Sequence, residues 1–305
     1  MAVSASMVKK LRDQTGAGFM DCKKALVEND GDFEKSVDWI RVKGLAAAAK
    51  KASRAASEGL VAVCVDGNNA AVVEINSETD FVSRNEIFQN LVKEVVQIAV
   101  GYNDIDSLKK ASTSSGVTVE EELISKVASI RENMTLRRMS RTTITEGVIV
   151  PYIHNSVAPN MGRIAVLVAL ESKGDKKRLS EVAKGIAMHI AAAKPQAMTK
   201  DDVDPKLIER EKEIFTQQTK DSGKPQNIID KMIAGRIRKY LEEIVLMDQV
   251  HVIEGKSKVS EIIQNLSKEL GTDVKLKSYV RFEVGEGIEK EEKNFADEVA
   301  SVLGS

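Results

Sequence analysis

The residues of this chain best suited to chemistry are few and far apart. Its 305 residues hold three histidines, His154, His189 and His251, and two cysteines, Cys22 and Cys64. A zinc or copper site places such ligands a few residues apart on one turn or loop, and no pair here has that spacing. An activated thiol needs a base beside it, and neither cysteine has a histidine near it in sequence. The bland reading of both is a reduced, buried thiol in an intracellular protein. The glycines form no phosphate loop, although Ser222–Pro225 contains a Gly-Lys. "GAG" at 16–18 fits a helix stop, since no strand precedes it as a dinucleotide site requires. "GEG" at 285–287 lacks the third glycine, and neither G-x-S-x-G nor H-E-x-x-H occurs. The chain therefore reads as a protein without enzymatic chemistry and without a resident metal or cofactor.

One stretch is still out of place. "NSETDFVSRNEIF", residues 76–88, follows the strand-like "AAVVEIN" and leads into the helical "NEIFQNLVKEVVQIAV". A strand-to-helix corner normally carries small polar residues, yet here Phe81 sits beside Asp80 in a chain with 4% aromatics. Two readings are open. In one, Thr79 caps the next helix, Asp80 complements its dipole and Phe81 folds into the core. In the other, Phe81 points outward as an aromatic anchor for a partner. His154, at a strand end, has the same choice between an interface and an ordinary surface. Phe19 and Met20, beside Lys23 and Lys24 at a helix start, offer either a docking face or a helix-corner core.

The elements that must position these residues follow from pattern. Residues 1–45 read as three short helices, with a Ser cap at Ser4, glycine stops at Gly16 and Gly18, and Phe33, Val37 and Ile40 on one face. "LAAAAKKASRAASEG" is Ala-rich and basic and reads as a helical linker, 46–57. "EGLVAVCVD", "GNN" and "AAVVEIN" make a hairpin. A helix over 85–100 follows, with Ile87, Phe88, Leu91, Val92, Val95 and Ala99 on its apolar stripe. "TVEEELISKVASIRENM" is another helix, opened by the capping box Thr118-x-x-Glu121. The order then recurs: "EGVIVPYIH", a loop "NSVAPNM", "GRIAVLVALES", and the helix "LSEVAKGIAMHIAAAKP". Glu58-Gly59-Leu60-Val61 and Glu146-Gly147-Val148-Ile149 open the two hairpins alike, so the core reads as a duplicated β-β-α unit. Residues 204–249 are helical and highly charged, broken once at "SGKP", as in an antiparallel hairpin that projects. "VSEIIQNLSKEL" (helix), "VKLKSYVRFEV" (strand) and a last helix through "EEKNFADEVASVLG" complete the chain.

The net charge of -1 and the scarcity of rings argue against a nucleic-acid binder, although a basic stretch at 41–54 leaves an RNA-binding reading open. No segment approaches the roughly 20 apolar residues of a membrane span. The N-terminus has neither an apolar signal region nor an amphipathic leader, so a cytoplasmic location is expected.

"LRDQTGAGFMDCKKAL", "ETDFVSRN", "AMHIAAAKP", "SGKP" and "RFEVGEGIEK", in that order along the chain, resemble the bacterial elongation factor Ts family. The resemblance implies an α+β fold: an N-terminal three-helix UBA-like module, a core of two similar β-β-α subdomains and a protruding antiparallel coiled-coil hairpin. The boundaries expected are 1–45 for the module, 46–57 for the linker and 58–145 for the first subdomain. The second takes 146–203 and 250–284, the hairpin 204–249 and a C-terminal helix module 285–305.

The resemblance also implies a guanine-nucleotide exchange factor of translation elongation. Such a protein binds elongation factor Tu in its GDP and nucleotide-free forms and dislodges Mg²⁺ and GDP so that GTP can enter. Thr79, Asp80, Phe81 and Val82 match the stretch that carries the Mg²⁺ dislocation. Arg12, Met20 and Lys23 match the module that docks on the partner's nucleotide-binding domain, and His154 matches the contact of the second subdomain with another partner domain. The hairpin would pair with its own copy or sit in a 2:2 complex. The competing reading, from another class, is an adapter or chaperone-like binding protein that leaves nucleotide affinity alone. Two departures stand out: Phe19-Met20 where the family often has two methionines, and Arg131 where it often has glycine.

Overall fold

A strand that is apolar on both faces must be covered on both, and the two hairpins of this chain are of that kind. The computed structural model describes residues 3–219 and 225–288. In it β1 (Glu58–Asp66) and β2 (Asn69–Ser77) pair antiparallel. Leu60 and Ala62 of β1, with Ala71, Val73 and Ile75 of β2, pack under α4 (Glu86–Ala99) and α6 (Val119–Ile130). The alternate residues Val61, Val63, Ala70 and Val72 face the other way. A short helix, α5 (Ile105–Lys109), precedes α6.

The second hairpin repeats the plan. β4 (Gly147–Ala158) pairs with β5 (Met161–Glu171), and α7 (Lys176–Ala193) follows. Val166, Val168 and Leu170 lie against α7 and α10 (Val259–Leu270), while Ala165, Leu167 and Ala169 turn to the face of the first hairpin. The two halves thus share one apolar layer and each has its own helical cover, an α+β architecture. β1 joins β5 through Val61↔Gly162 and Ala62↔Met161. The sheet order is β3-β2-β1-β5-β4, where β3 is Met134–Thr143, and β6 (Lys275–Glu283) also pairs with β5.

The repeat is visible in backbone detail. Gly59 and Gly147 have φ of 121° and 137°. A Cβ on Gly59 would meet the Ile75 carbonyl oxygen at 2.2 Å, and one on Gly147 the Leu170 oxygen at 2.0 Å. Both positions combine a backbone that disfavours a side chain with a neighbouring strand too near to admit one.

Several expectations need correction. Helix α6 stops at Ile130, where Arg131 turns left-handed at φ 69°, so 131–134 is not helical. β3 goes beyond the sequence pattern, because "MTLRRMSRTT" lacks the apolar character of its neighbours. It is the outer strand beside β2, and its inward residues Met134 and Leu136 complete the first core. Of the expected loop 155–161, residues 155–158 belong to β4 and Met161 to β5, which leaves Pro159 and Asn160 as the turn, with a register shift between Ser156 and Ala158. Ile87, placed on the stripe of α4, is 47% exposed.

The N-terminal helices are α1 (Ala5–Thr15), α2 (Phe19–Glu28) and α3 (Phe33–Lys51). Ser4 Oγ accepts the Met7 N–H, and Gly16 ends α1 left-handed. Val8, Leu11, Cys22, Ala25 and Leu26 form a small core of their own. Burial there pushes the Cys22 thiol above its ordinary pKa, against a weaker pull from Thr15. α3 does not end at residue 45: it continues through the alanine run and Ala48 packs on the first core. Small side chains allow this close approach, and a Cβ on Gly44 would lie 3.6 Å from that of Ala128 on α6.

α8 (Pro205–Thr219) and α9 (Gln226–Ile244) pack on each other, with the Arg236 guanidinium 5.5 Å from the Phe215 ring centre. Among the described residues of the two helices only Ile237 and Ile244 are buried, and Ile244 packs at the base with Val203 and Val245. Most of the "SGKP" break and the helix expected through 291–304 lie outside the described residues.

Two motifs of the resemblance have structural duties. In "AMHIAAAKP", His189 is buried on α7; its Nε2 is 2.8 Å from Gln249 Oε1, and its Nδ1 accepts the Val252 N–H. Burial, aided by His251 and opposed by the Gln249 bond, holds its pKa below 6.5. Above that value both folded and unfolded chains keep the ring neutral. Below it the unfolded chain takes up a proton that the folded one resists, so stability falls until the depressed pKa is passed. His189→Gln is therefore expected to be less stable than the parent at pH 7.5, with the gap narrowing as urea midpoints are followed down toward pH 5. A gap independent of pH would contradict this.

In "RFEVGEGIEK" the chain after β6 reaches back to the first half. Glu74, on β2, is 0% exposed. Its Oε1 accepts from Gly285 N–H at 2.8 Å, Asn76 Nδ2 at 2.9 Å and Arg137 Nη1 at 3.0 Å, and its Oε2 from Arg138 Nε at 2.5 Å. Arg137 Nη2 donates to the Glu286 carbonyl and Arg138 Nη2 to that of Glu283. The Arg138 guanidinium also lies 4.2 Å from the Phe282 ring centre. One buried carboxylate thus ties β2, β3 and the segment after β6 together.

Candidate functional site

The corner after β2 is held by contacts that local sequence does not reveal. Residues Asp80–Arg84 form a 3-10 turn. Val82 is buried in the first core and pins the turn from below. Ser83 Oγ donates to the Asp80 carbonyl at 2.5 Å, and Gln89 Nε2 to that of Ser83 at 2.9 Å. At the start of the turn, the Thr79 N–H and Oγ1–H both donate to the Glu132 carboxylate, at 2.9 and 2.7 Å. Thr79 is not the cap of the next helix: Asn85 Oδ1 takes that role for α4, accepting the Ile87 N–H at 2.9 Å.

Held this way, the turn sends Phe81 outward. It is 80% exposed, with Asp80 and Arg84 exposed beside it and Ile87 uncovered at the start of α4. An inward, core-filling Phe81 is excluded. Burying such a ring against a partner is worth about 1.5–3 kcal/mol, a gain left unused in the free chain.

The other candidates stand on separate elements. Arg12 is exposed in the last turn of α1, and Met20 (69% exposed) and Lys23 are exposed on α2. Phe19 is uncovered beside Met20, so the pair is a surface and not a helix-corner core. Asp21 on the same turn is paired to Lys43 of α3, and Lys43 and Lys24 lie over the Trp39 ring. His154 is exposed near the end of β4, with Tyr152 Oη 3.1 Å from its Nδ1. The structure brings Thr79–Val82 together at one corner and Arg12, Met20 and Lys23 onto one small helical unit. Among the described residues no hydrogen bond, ion pair or ring contact joins these two groups to each other or to His154. The unit itself is tied to the core through Arg41–Glu121 and Ser125–Thr15.

Reasoning from sequence did not find Glu132 or Glu78. Glu132 follows Arg131, the residue that departs from the family pattern. The left-handed backbone there explains why glycine suits the position and what arginine costs, about 1–2 kcal/mol. Among the described residues no group of three or more His, Cys, Asp or Glu could hold a metal ion, and no helix is long and apolar enough to cross a membrane.

Comparison with known proteins agrees with this picture. The sequence model of the family described as "Elongation factor TS" matches residues 78–286, which include the corner and the segment after β6 that closes on Glu74. The chain is 54% identical over 301 residues to elongation factor Ts of Rickettsia felis, covering 98% of this chain and 97% of that protein. It is 52% identical over 304 residues to elongation factor Ts of Rhodospirillum centenum, covering 99% of each. On this evidence the chain belongs to the elongation factor Ts family, translation elongation factors that act without catalysing a reaction.

Proposed function

We propose that this chain is a cytoplasmic guanine-nucleotide exchange factor that binds elongation factor Tu with GDP and expels Mg²⁺ and GDP. The observation that carries the proposal is Phe81, a large apolar ring left in solvent by a turn that is hydrogen-bonded at its start and within itself. Mg²⁺ demands near-octahedral ligands at about 2.0–2.1 Å. A ring inserted between partner elements that carry those ligands need move them only slightly to spoil that geometry. Metal and diphosphate hold each other, so weakening one weakens both. In this reading Thr79 and Val82 position the wedge, and Asp80 and Phe81 meet the partner. Arg12, Met20 and Lys23 dock the N-terminal unit, whose three helices we take as UBA-like, and His154 contacts a second partner domain. The α8–α9 pair, with its thinly covered seam, is the surface for self-association as a homodimer or a 2:2 complex.

The test is release of fluorescent GDP from elongation factor Tu with and without the chain. Since no bond is made or broken, exchange must run through a ternary complex by differential affinity, and coupling is reciprocal. GDP with Mg²⁺ is expected to weaken binding of the chain to its partner by the factor by which the chain weakens GDP. Chelating the magnesium is expected to restore binding. Titration calorimetry that found binding indifferent to GDP and Mg²⁺ would leave an adapter in place of an exchange factor.

A further inference from the structure

Phe81 is 80% exposed, so little beneath the ring fixes its direction, and the backbone of the turn sets where its Cα–Cβ bond points. That backbone begins at Thr79, and Thr79 is fixed from outside its own segment. Glu132, 53 residues downstream, accepts both of its donors. The reverse bond is present too: Glu78 Oε1 accepts the Asn133 N–H at 2.5 Å. Two adjacent pairs, 78–79 and 132–133, thus exchange carboxylates for backbone donors in both directions. Asn133 Nδ2 donates to the Arg54 carbonyl at 2.7 Å, and Arg54 Nη1 lies 3.5 Å from Glu78 Oε2, so the chain just beyond α3 closes the third side. Charge-assisted bonds of this kind are stronger than neutral ones. A reciprocal set also resists rotation that a single bond would allow.

We infer that Glu132, with Glu78 as its counterpart, is a positioning residue for nucleotide release: it holds the Thr79–Val82 turn so that Phe81 presents one direction to the partner. The inference rests on the exchange reading above and adds to it the group that aims the wedge. Loss of the clamp leaves the ring, the docking residues and the fold in place but lets the turn sample other orientations. Misplacement of a working group costs rate even where binding persists. The damage therefore falls on the rate of release within the complex and not on formation of the complex.

The test uses the full chain and its Glu132→Gln and Glu78→Gln variants. A glutamine in place of Glu132 keeps one acceptor, replaces the other with an amide N–H₂ that one Thr79 donor meets unless the hydroxyl turns to accept, and removes the charge from both bonds. Stimulated GDP release is measured against concentration of the chain, and amide hydrogen exchange of residues 79–84 is followed in the free chain. Expected for Glu132→Gln is a maximal release rate about fivefold to tenfold lower, half-saturation within about twofold of the parent, and faster exchange at the Thr79 amide. Thr79→Val, which removes one of the two bonds and keeps the carboxylate, is expected to lie between the two and serves if the first variant does not fold. An unchanged maximal rate, or a loss confined to half-saturation, overturns the positioning role. If the parent chain itself fails to speed GDP release, the exchange reading falls and the positioning role with it. Protection of the Thr79 amide in the free chain still reports whether the clamp exists.

Discussion

Replacing Phe81 by alanine is expected to cut stimulated GDP release by at least about tenfold while leaving the protein as stable as before. The size is that of an interface hot spot, about 2 kcal/mol. The unchanged stability follows from exposure: a side chain that is 80% in solvent contributes little to the fold, and surface changes away from special features stay within about 0.5 kcal/mol. The two halves of this expectation are checked by GDP-release kinetics and by thermal melting. A large drop in melting temperature would mean that the ring packs in solution; full release activity would remove the wedge. Arg12→Ala and Lys23→Ala should behave differently, lowering affinity for GDP-loaded and empty partner alike.

The largest loss of stability is expected from Glu74→Gln. Removing one member of a buried charge set leaves the others unpaired and costs about 3–5 kcal/mol. Here Arg137 and Arg138 keep some solvent, which places the expected loss near the lower end, on the order of 3 kcal/mol. Desolvation pushes the Glu74 carboxyl upward, but the Gly285 N–H, Asn76 and Arg138 outweigh it and hold the pKa below 4.5. With the folded value depressed, the contribution of Glu74 is fully present above the unfolded pKa and fades as pH falls through the folded one. Denaturant midpoints of parent and variant should therefore stand well apart at pH 7 and draw together as pH falls below the ordinary carboxylate range toward the depressed folded value. Midpoints equal at pH 7 would mean that the cluster holds nothing together.

How much of this is legible in the sequence follows from where the causes lie. Both hairpins, the capping box at Thr118, the Ser4 cap and the helices α4, α7 and α10 are written in local periodicity and end signals. β3 is not, because Arg137 and Arg138 are explained by Glu74 on the neighbouring strand and by carbonyls near residue 285, and Arg141 by the Val100 carbonyl and two asparagines. The alanine run after residue 45 reads as a linker because small residues anchor nothing on their own. It becomes packed helix only because α6 supplies a surface close enough for small residues to fit. At the corner, a phenylalanine among polar residues can be noticed, but not the direction of its ring. That direction depends on Glu132 and Asn133, which sequence places at the end of a different helix.

The latch at Glu74 also constrains how the protein is made. Its Gly285 partner lies 211 residues downstream, and β6 joins β5 only after the whole α7–α10 segment has intervened. At a synthesis rate of about 5–20 residues per second, roughly 10–40 s separate emergence of that carboxylate from emergence of its last ligand. Throughout that interval the first half can close its own helical layer, because α4 and α6 follow β2 directly. The sheet face carrying Val61, Val63, Ala70 and Val72 gains Ile149, Ala165, Leu167 and Ala169 once β4 and β5 emerge, but Phe282 and Val284 join it only at the end. The nascent chain thus emerges with part of one apolar layer and one acidic side chain still waiting for residues not yet translated.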